Sequence, residues 1–371
     1  MDIRIDPVHV PARLEDADAE DFLELVRLGN EAWRRQSGTD LHDDDPRDLL
    51  ARWRDAEYYT HLGVAARASG DPDGPVLGVG TLTIENTIRR SAEIEVCLAD
   101  LDEHAAREVG DALTADIERR ALDLGRSVLQ GYTIHQAVPV EDRLVPPTGA
   151  GWIPAADEPT RRMLRNGYAL GQVERISVFD LRGSFDAVDR LLAESLARAG
   201  AEYRPVWWAG RTPDEYAAGY AAAIARMSTD VPLGALSTEQ AHWDAARVHR
   251  RDEQHEKAGA LMGVTLVIHV PTGEVAAFNE LFIGVDRTRP TEQWGTLVMP
   301  EHRGRRLGAI VKCVGLQRWR EVAPESPCVS TGNAEENRFM LDVNEAVGFL
   351  PASYAGMWEK RLVRSASPAS R

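Results

Sequence analysis

The stretch Trp294-Gly-Thr-Leu-Val-Met-Pro-Glu-His-Arg-Gly-Arg-Arg-Leu-Gly-Ala309 concentrates the residue types best suited to binding chemistry. Gln293–Val298 reads as a strand, and the apolar stripe Leu307, Ile310, Val311, Val314 and Leu316 predicts a helix over 307–321. Between them lies a turn that carries Arg303, Gly304, Arg305 and Arg306. Backbone N–H groups at a helix N-terminus attract anions, the helix dipole adds to that attraction, and three guanidinium groups add more. A phosphate-bearing ligand is the natural occupant. The turn is neither a GxxxxGK(S/T) phosphate loop nor a GxGxxG dinucleotide fingerprint. Taken alone, it is also what a basic surface bend looks like.

Its context points further. Arg303-Gly-Arg-Arg-Leu-Gly308, after Val298-Met-Pro-Glu-His, resembles the Gln/Arg-x-x-Gly-x-Gly/Ala pyrophosphate loop of the GCN5-related N-acetyltransferases. Downstream, Asn333, Asn337 and Val343-Asn-Glu-Ala-Val-Gly-Phe349 resemble the family's Asn and Gly-Phe segment, in the same order. The resemblance implies acetyl-CoA as cosubstrate. It assigns Thr296, Leu297 and Val298 to the pantetheine arm, and Asn337 to that arm's far side. Arg303, Gly304, Arg305, Arg306, Leu307, Gly308 and Ala309 fall to the pyrophosphate. Two positions depart from the family pattern. Arg306 stands where a middle glycine is usual, and Asn344 where many members carry the tyrosine that protonates the leaving thiolate.

Family chemistry would be direct attack of an amine on a thioester. An alkyl ammonium has a pKa near 10.4, so freeing the amine at pH 7 costs roughly 4.6 kcal/mol and a general base is useful. Glu292, at the start of the strand before the loop, matches the glutamate of the histone-acetylating branch; Glu280 on the preceding strand is the second candidate. Either is also what a solvated strand-end carboxylate looks like. Tyr354 is a candidate acid if the final strand faces the cofactor, and otherwise a packing residue. A thiolate leaves reasonably well unaided, since a thiol's pKa is about 8.5.

The elements that must position these groups run twice along the chain. In the first half helices are expected over 18–33, 104–124 and 160–166, with strands within 61–84 around the turn 71–74, and over 93–98, 127–134 and 173–181. The second half repeats the order, with helices over 213–227, 238–258, 307–321 and 337–347 and strands over 262–270, 274–283, 293–298, 328–331 and 357–362. Gly167-Tyr168 and Gly348-Phe349 share an offset of 181 residues, as do Leu181 and Leu362. Duplication explains this, and the layout resembles the tandem members of the family, such as mycothiol synthase-like proteins. The expected fold is α/β: two GNAT domains in tandem, each a mixed, mostly antiparallel sheet flanked by helices. Residues 1–182 form a degenerate copy, 183–364 the acetyl-CoA-binding copy, and 365–371 a tail. The first half's counterpart of the loop, Ala99–Gly110, carries Asp100, Asp102 and Glu103, which repel a pyrophosphate.

Composition bounds the remainder. The chain has 371 residues, 43% hydrophobic and 27% charged, with a net charge of −16. That balance argues against a general nucleic-acid binder and mildly favours a cationic partner. No apolar run is long enough to span a bilayer and no signal peptide is visible, and three scattered cysteines suit a reducing cytoplasm. Ten histidines include no HxxxH or HExxH, so no metal is expected. Asp40–Asp45 reads as a solvated loop, His255 as an exposed helix position, and Trp207-Trp208 as packing near the domain junction. The resulting expectation is an N-acetyltransferase that moves the acetyl group of acetyl-CoA to a primary amine of a small molecule, such as an amino sugar, peptide-like metabolite or antibiotic. It would be a monomer or homodimer. The alternative is a non-catalytic acyl-CoA-binding sensor or scaffold.

Overall fold

The computed structural model describes residues 2–71 and 74–363, and the chain packs into two compact units. Unit 1 comprises Met1–Glu174, Leu233–Glu239 and Ser353–Arg371; unit 2 comprises Arg175–Pro232 and Gln240–Ala352. Pro72 and Asp73 of the expected turn, and the expected tail 365–371, lie outside the described residues. The units do not follow the halves 1–182 and 183–364: Leu233–Glu239 and the residues from Ser353 belong with the first, and Arg175–Arg182 with the second.

Unit 1 begins with β1 (Ile3–Val8), α1 (Glu20–Ser37) and α2 (Pro46–Arg54), followed by β2 (Tyr59–Ala68), β3 (Gly78–Glu85) and β4 (Ser91–Leu98). Then come α3 (Glu103–Asp123), β5 (Val128–Gln136), the short pair β6 (Arg143–Leu144) and β7 (Ile153–Pro154), α4 (Glu158–Arg165) and the start of β8 (Ala169–Asp180). Its sheet order is β1-β2-β3-β4-β5-β14, the last being the chain's terminal strand β14 (Leu350–Arg361). β14 pairs antiparallel with β5 from Ser353↔Gln136 to Arg361↔Val128 and buries Trp358 completely in the unit's core. The helix α2 has a local cause that the apolar pattern does not show: the Asp45 carboxylate accepts the Arg47 N–H at 2.8 Å, and Pro46 supplies the fixed φ of a first helical residue. The carboxylates of Asp43, Asp44 and Asp45 pair with Arg34, Arg52 and Arg47, so the 40–45 segment is an ion-paired turn rather than a solvated one.

Unit 2 contains α5 (Asp186–Ala199), β9 (Tyr203–Ala209), α6 (Asp214–Ala225), the single turn α7 (Met227–Asp230) and α8 (Ala245–Ala258). β10 (Leu261–His269), β11 (Glu274–Ile283) and β12 (Thr291–Val298) follow, then α9 (Leu307–Val322), β13 (Cys328–Ala334) and α10 (Arg338–Val347). The order β8-β13-β12-β11-β10-β9 is antiparallel from β9 to β12, with β12 and β13 parallel. Trp319 and Cys313 of α9 pack one face with Leu281 and Val329; Tyr220 of α6 and Val248 of α8 cover the other with Phe278 and Leu297. Trp208 packs on Tyr220 inside this unit. Strand, helix and glycine turns recur in the same succession as in unit 1, and Gly167 and Gly348 both hold left-handed φ values, 78° and 112°.

Candidate active site

The site grows from one irregularity in β12. Asn279 of β11 faces Thr296 and Leu281 faces Gln293, so Trp294 and Gly295 together oppose Glu280. This is a β-bulge, which breaks the ladder and turns a backbone N–H aside. The freed N–H of Gly295 donates to Glu280 Oε2 at 3.0 Å. Only glycine fits there, because a Cβ would lie 2.6 Å from Phe278 Cε2 and 2.7 Å from Glu280 Oε2. The other carboxylate oxygen, Oε1, accepts from Arg251 Nη1 at 2.9 Å and from the Tyr220 hydroxyl, which also accepts from Arg251 Nη2 at 2.7 Å. Burial and Glu280 push the Tyr220 pKa well above its ordinary value, its neighbour Arg251 opposing them, so the phenol keeps its proton. Glu280 is thus a buried, fully engaged carboxylate that fixes the bulge. Nothing in the sequence links Tyr220 and Arg251 to Glu280, which lies 60 and 29 residues further on and is met only through the packing of α6 and α8.

Beyond the bulge, β12 parts from its parallel neighbour. Thr291↔Val329 and Glu292↔Ser330 are paired; past them Gln293 Nε2 donates to Thr331 Oγ1 at 2.8 Å, and Thr296–Val298 keep backbone pairing on the β11 side. The side chains there are committed inward: Thr296 Oγ1 accepts from Asn279 Nδ2 at 2.8 Å, and Leu297 and Val298 enter the cores on opposite faces. What this segment offers a ligand is backbone.

The chain then makes a 3-10 turn at Pro300–His302 and enters α9 through Arg306, whose φ of 58° is the single left-handed value outside glycine among the described residues. The first N–H groups of the helix, from Leu307 to Ala309, have no intrahelical acceptor, and among the described residues no side chain caps them. Arg303, Gly304, Arg305 and Arg306 are exposed. Arg303 Nε reaches the Val298 carbonyl at 3.3 Å, and Arg306 pairs with Glu194 at 3.1 Å, a surface bridge of little strength. Gly308 is buried, and a Cβ there would meet nothing closer than Val298 Cγ2 at 3.6 Å. An uncapped helix end, a turn entered through a left-handed residue and three exposed guanidinium groups have the chemistry to hold a diphosphate.

On the α6–α8 face, the Glu292 carboxylate is exposed and accepts from Trp294 Nε1 at 3.0 Å. The Trp294 ring stacks on Phe282 with centroids 4.4 Å apart, and His255 sits 5.8 Å from Trp294 and 5.1 Å from Phe282. His255 is therefore half-buried against the bulge and not an exposed helix position; burial, with the Arg251 charge, holds its pKa down to about 3 and keeps it neutral. The remaining expected residues fall elsewhere. Asn337 caps α10, its Oδ1 accepting the Met340 N–H at 3.4 Å, and buried Asn344 donates to Asn333 Oδ1 at 2.6 Å. Tyr354 belongs to unit 1, where it pairs with His135 and its ring lies 6.0 Å from Trp152.

No family model and no curated protein matches the chain by sequence. Solved structures do match over its whole length. A tandem GNAT protein from the clavulanic acid biosynthesis pathway, solved without AcCoA, superposes with a TM-score of 0.70 at 21% identity, covering 98% of this chain and 100% of that one. A GCN5-related N-acetyltransferase from Sphaerobacter thermophilus gives 0.61 at 14% identity, covering 100% and 98%. This chain has the tandem GNAT fold. A GCN5-related glucosamine N-acetyltransferase region of a fungal multi-domain protein also matches, with a TM-score of 0.57 at 12% identity over 96% of this chain and 38% of that one.

Within the tandem GNAT fold the two copies treat the equivalent helix start differently. In unit 1 the Asp102 carboxylate accepts the Ala105 N–H at 2.9 Å and Glu103 follows in the first turn, so α3 satisfies its own positive end. In unit 2 no side chain among the described residues caps the corresponding end, that of α9.

Proposed function

We propose that unit 2 is an acetyl-CoA-dependent N-acetyltransferase acting on a primary amine of a small molecule. The uncapped start of α9, entered through left-handed Arg306 beside the half-paired end of β12, carries this reading. Arg303, Arg305 and Arg306 with the N–H groups of 307–309 hold the diphosphate, and the backbone of Thr296–Val298 holds the pantetheine arm. The bound thioester supplies the acyl group. The bulge secured by Glu280 shapes the strand next to the reacting carbonyl. Glu292, exposed and with a single indole donor on it among the described residues, takes the proton of the incoming amine, while Glu280 is held by Arg251, Tyr220 and Gly295. Asn344 lacks a transferable proton, so the thiolate leaves without a side-chain acid at that position. Unit 1, with its helix end capped by Asp102, serves as a copy that does not bind the cofactor. The net charge of −16 favours a cationic acceptor, and free cysteines at 97, 313 and 328 fit a reducing cytoplasm. Among the described residues no helix is long and apolar enough to cross a membrane.

The test is CoA binding by calorimetry with Gly308→Leu. A Cβ at 308 makes only ordinary contact, 3.6 Å from Val298 Cγ2, and the longer side chain crowds the N–H groups that hold the diphosphate. The expected result is at least a hundredfold loss of affinity in a chain that still melts cooperatively; unchanged affinity overturns the loop assignment. Release of free thiol from acetyl-CoA across an amine panel then separates an enzyme from a binder. Tight binding with no thiol release by any amine would establish the sensor or scaffold reading instead.

A further inference from the structure

We propose that His269, Glu274 and His302 of unit 2 form a zinc site that ties the β10–β11 hairpin to the start of the arginine loop. His269 ends β10, Glu274 opens β11 across the turn Pro271-Thr272-Gly273, and His302 closes the 3-10 turn immediately before Arg303. Their donor atoms all lie within 4.8 Å of one another, and the two imidazole rings are 4.9 Å apart. Sequence spacing hides the set, because the ligands converge from a hairpin and a loop rather than from one helix face.

The hydrogen bonds prepare the rings for a metal. Thr272 Oγ1 donates its one proton to Glu274 Oε2 at 3.0 Å, since a carboxylate only accepts. It must therefore accept from His269 Nδ1–H, 2.9 Å away, which leaves the Nε2 lone pair of the neutral ring for a metal. His302 Nδ1 is likewise engaged, by the Tyr203 hydroxyl at 3.1 Å. Ligating histidines characteristically have the second ring nitrogen held in this way, which fixes ring orientation and tautomer. Zinc bonds of about 2.0–2.2 Å require the three donors to draw inward by roughly an ångström, and Glu274 is exposed and at a strand start, where it can move. Two imidazoles and one carboxylate suit zinc and not magnesium or calcium, and they leave a fourth position for water. The site stands independently of the acyl-transfer reading. Its consequence is local: with His302 anchored, the segment leading into Arg303 loses freedom.

The experiment uses the full chain after chelator treatment, titrated with zinc chloride alone and with magnesium chloride as control. One equivalent of zinc is expected, with no response to magnesium, and cobalt(II) in its place should give the visible absorption of a four-coordinate centre. The double variant His269→Ala/Glu274→Gln should lose stoichiometric binding. Thr272→Val, which keeps all three ligands, should weaken binding about 10–100-fold. Zinc should also slow amide exchange over residues 299–306 in the unaltered chain. The site is refuted if the unaltered chain takes up no equivalent of zinc, or if the double variant binds zinc as it does; unchanged binding by Thr272→Val overturns the role given to Thr272. Bound zinc with unchanged exchange at 299–306 overturns the anchoring of the loop.

Discussion

Lys312 lies on α9 with its side chain fully buried, its amine without a hydrogen-bond partner among the described residues and 5.6 Å from the Phe349 ring centroid. Burial pushes its pKa down to about 7. An unfolded chain would bind that proton up to about 10.4, so between the two values the unfolded state holds more protons and stability rises with pH, by about 1.4 kcal/mol per unit. Lys312→Met should remove this slope. Urea midpoints at pH 7.5 and 9.5 for both chains check it: an equal rise in both would show that Lys312 is not the source. Glu280 belongs to the same scale. Glu280→Ala leaves the Arg251 guanidinium buried without its carboxylate and should cost about 3–5 kcal/mol in chemical unfolding, whereas Arg251→Met with Glu280→Gln should cost far less. Glu292→Gln should instead leave stability alone and lower kcat by about 10²–10⁴ with little change in the KM for the acyl donor, measured by thiol release. Glu292 and Glu280 were both legible in the sequence as carboxylates on adjacent strands. Which of them is engaged was not, since that depends on Arg251 and Tyr220 arriving from two helices.

At the scale of elements, the loop and α9 were readable because arginine and glycine punctuation coincides with a change from strand to helical apolar spacing. The bulge in β12 was not readable: it is set by a hydrogen bond to a side chain on the neighbouring strand, a tertiary cause with no local period. The helix α5 and the strands β1 and β9 were likewise absent from the sequence reading; β1 and β9 are each at a sheet edge, where short segments carry little alternation. The two helix starts give a paired prediction. Arg306→Gly should relieve the left-handed backbone and raise stability by about 1 kcal/mol, seen as a higher melting temperature. In unit 1, Asp102→Ala should lower stability by about 1 kcal/mol through the lost cap.

For the whole molecule, the duplication was visible in the paired Gly167-Tyr168 and Gly348-Phe349 and in the recurring order of elements. The place of the last strand was not, because the offset of 181 residues says which segments correspond and nothing about which sheet each joins. β14 follows α10 of unit 2 in the chain but completes the sheet and core of unit 1 through Trp358. A fragment spanning 1–182 should therefore melt with low cooperativity by circular dichroism. A peptide covering 350–363 should restore a sharp transition, and an equally sharp melt without it would show that β14 is dispensable. Trp358→Ala in the full chain should cost about 3–5 kcal/mol.

The exchange of that strand orders events on the ribosome. β1 to β5 emerge early, yet their sheet lacks its closing partner until translation has passed residue 361, a delay on the order of ten to forty seconds at ordinary elongation rates. The later-made portion, which needs nothing beyond Ala352, can settle first. The apolar surfaces of β1 to β5 therefore stay uncovered by Trp358 until the last of the described strands has been made.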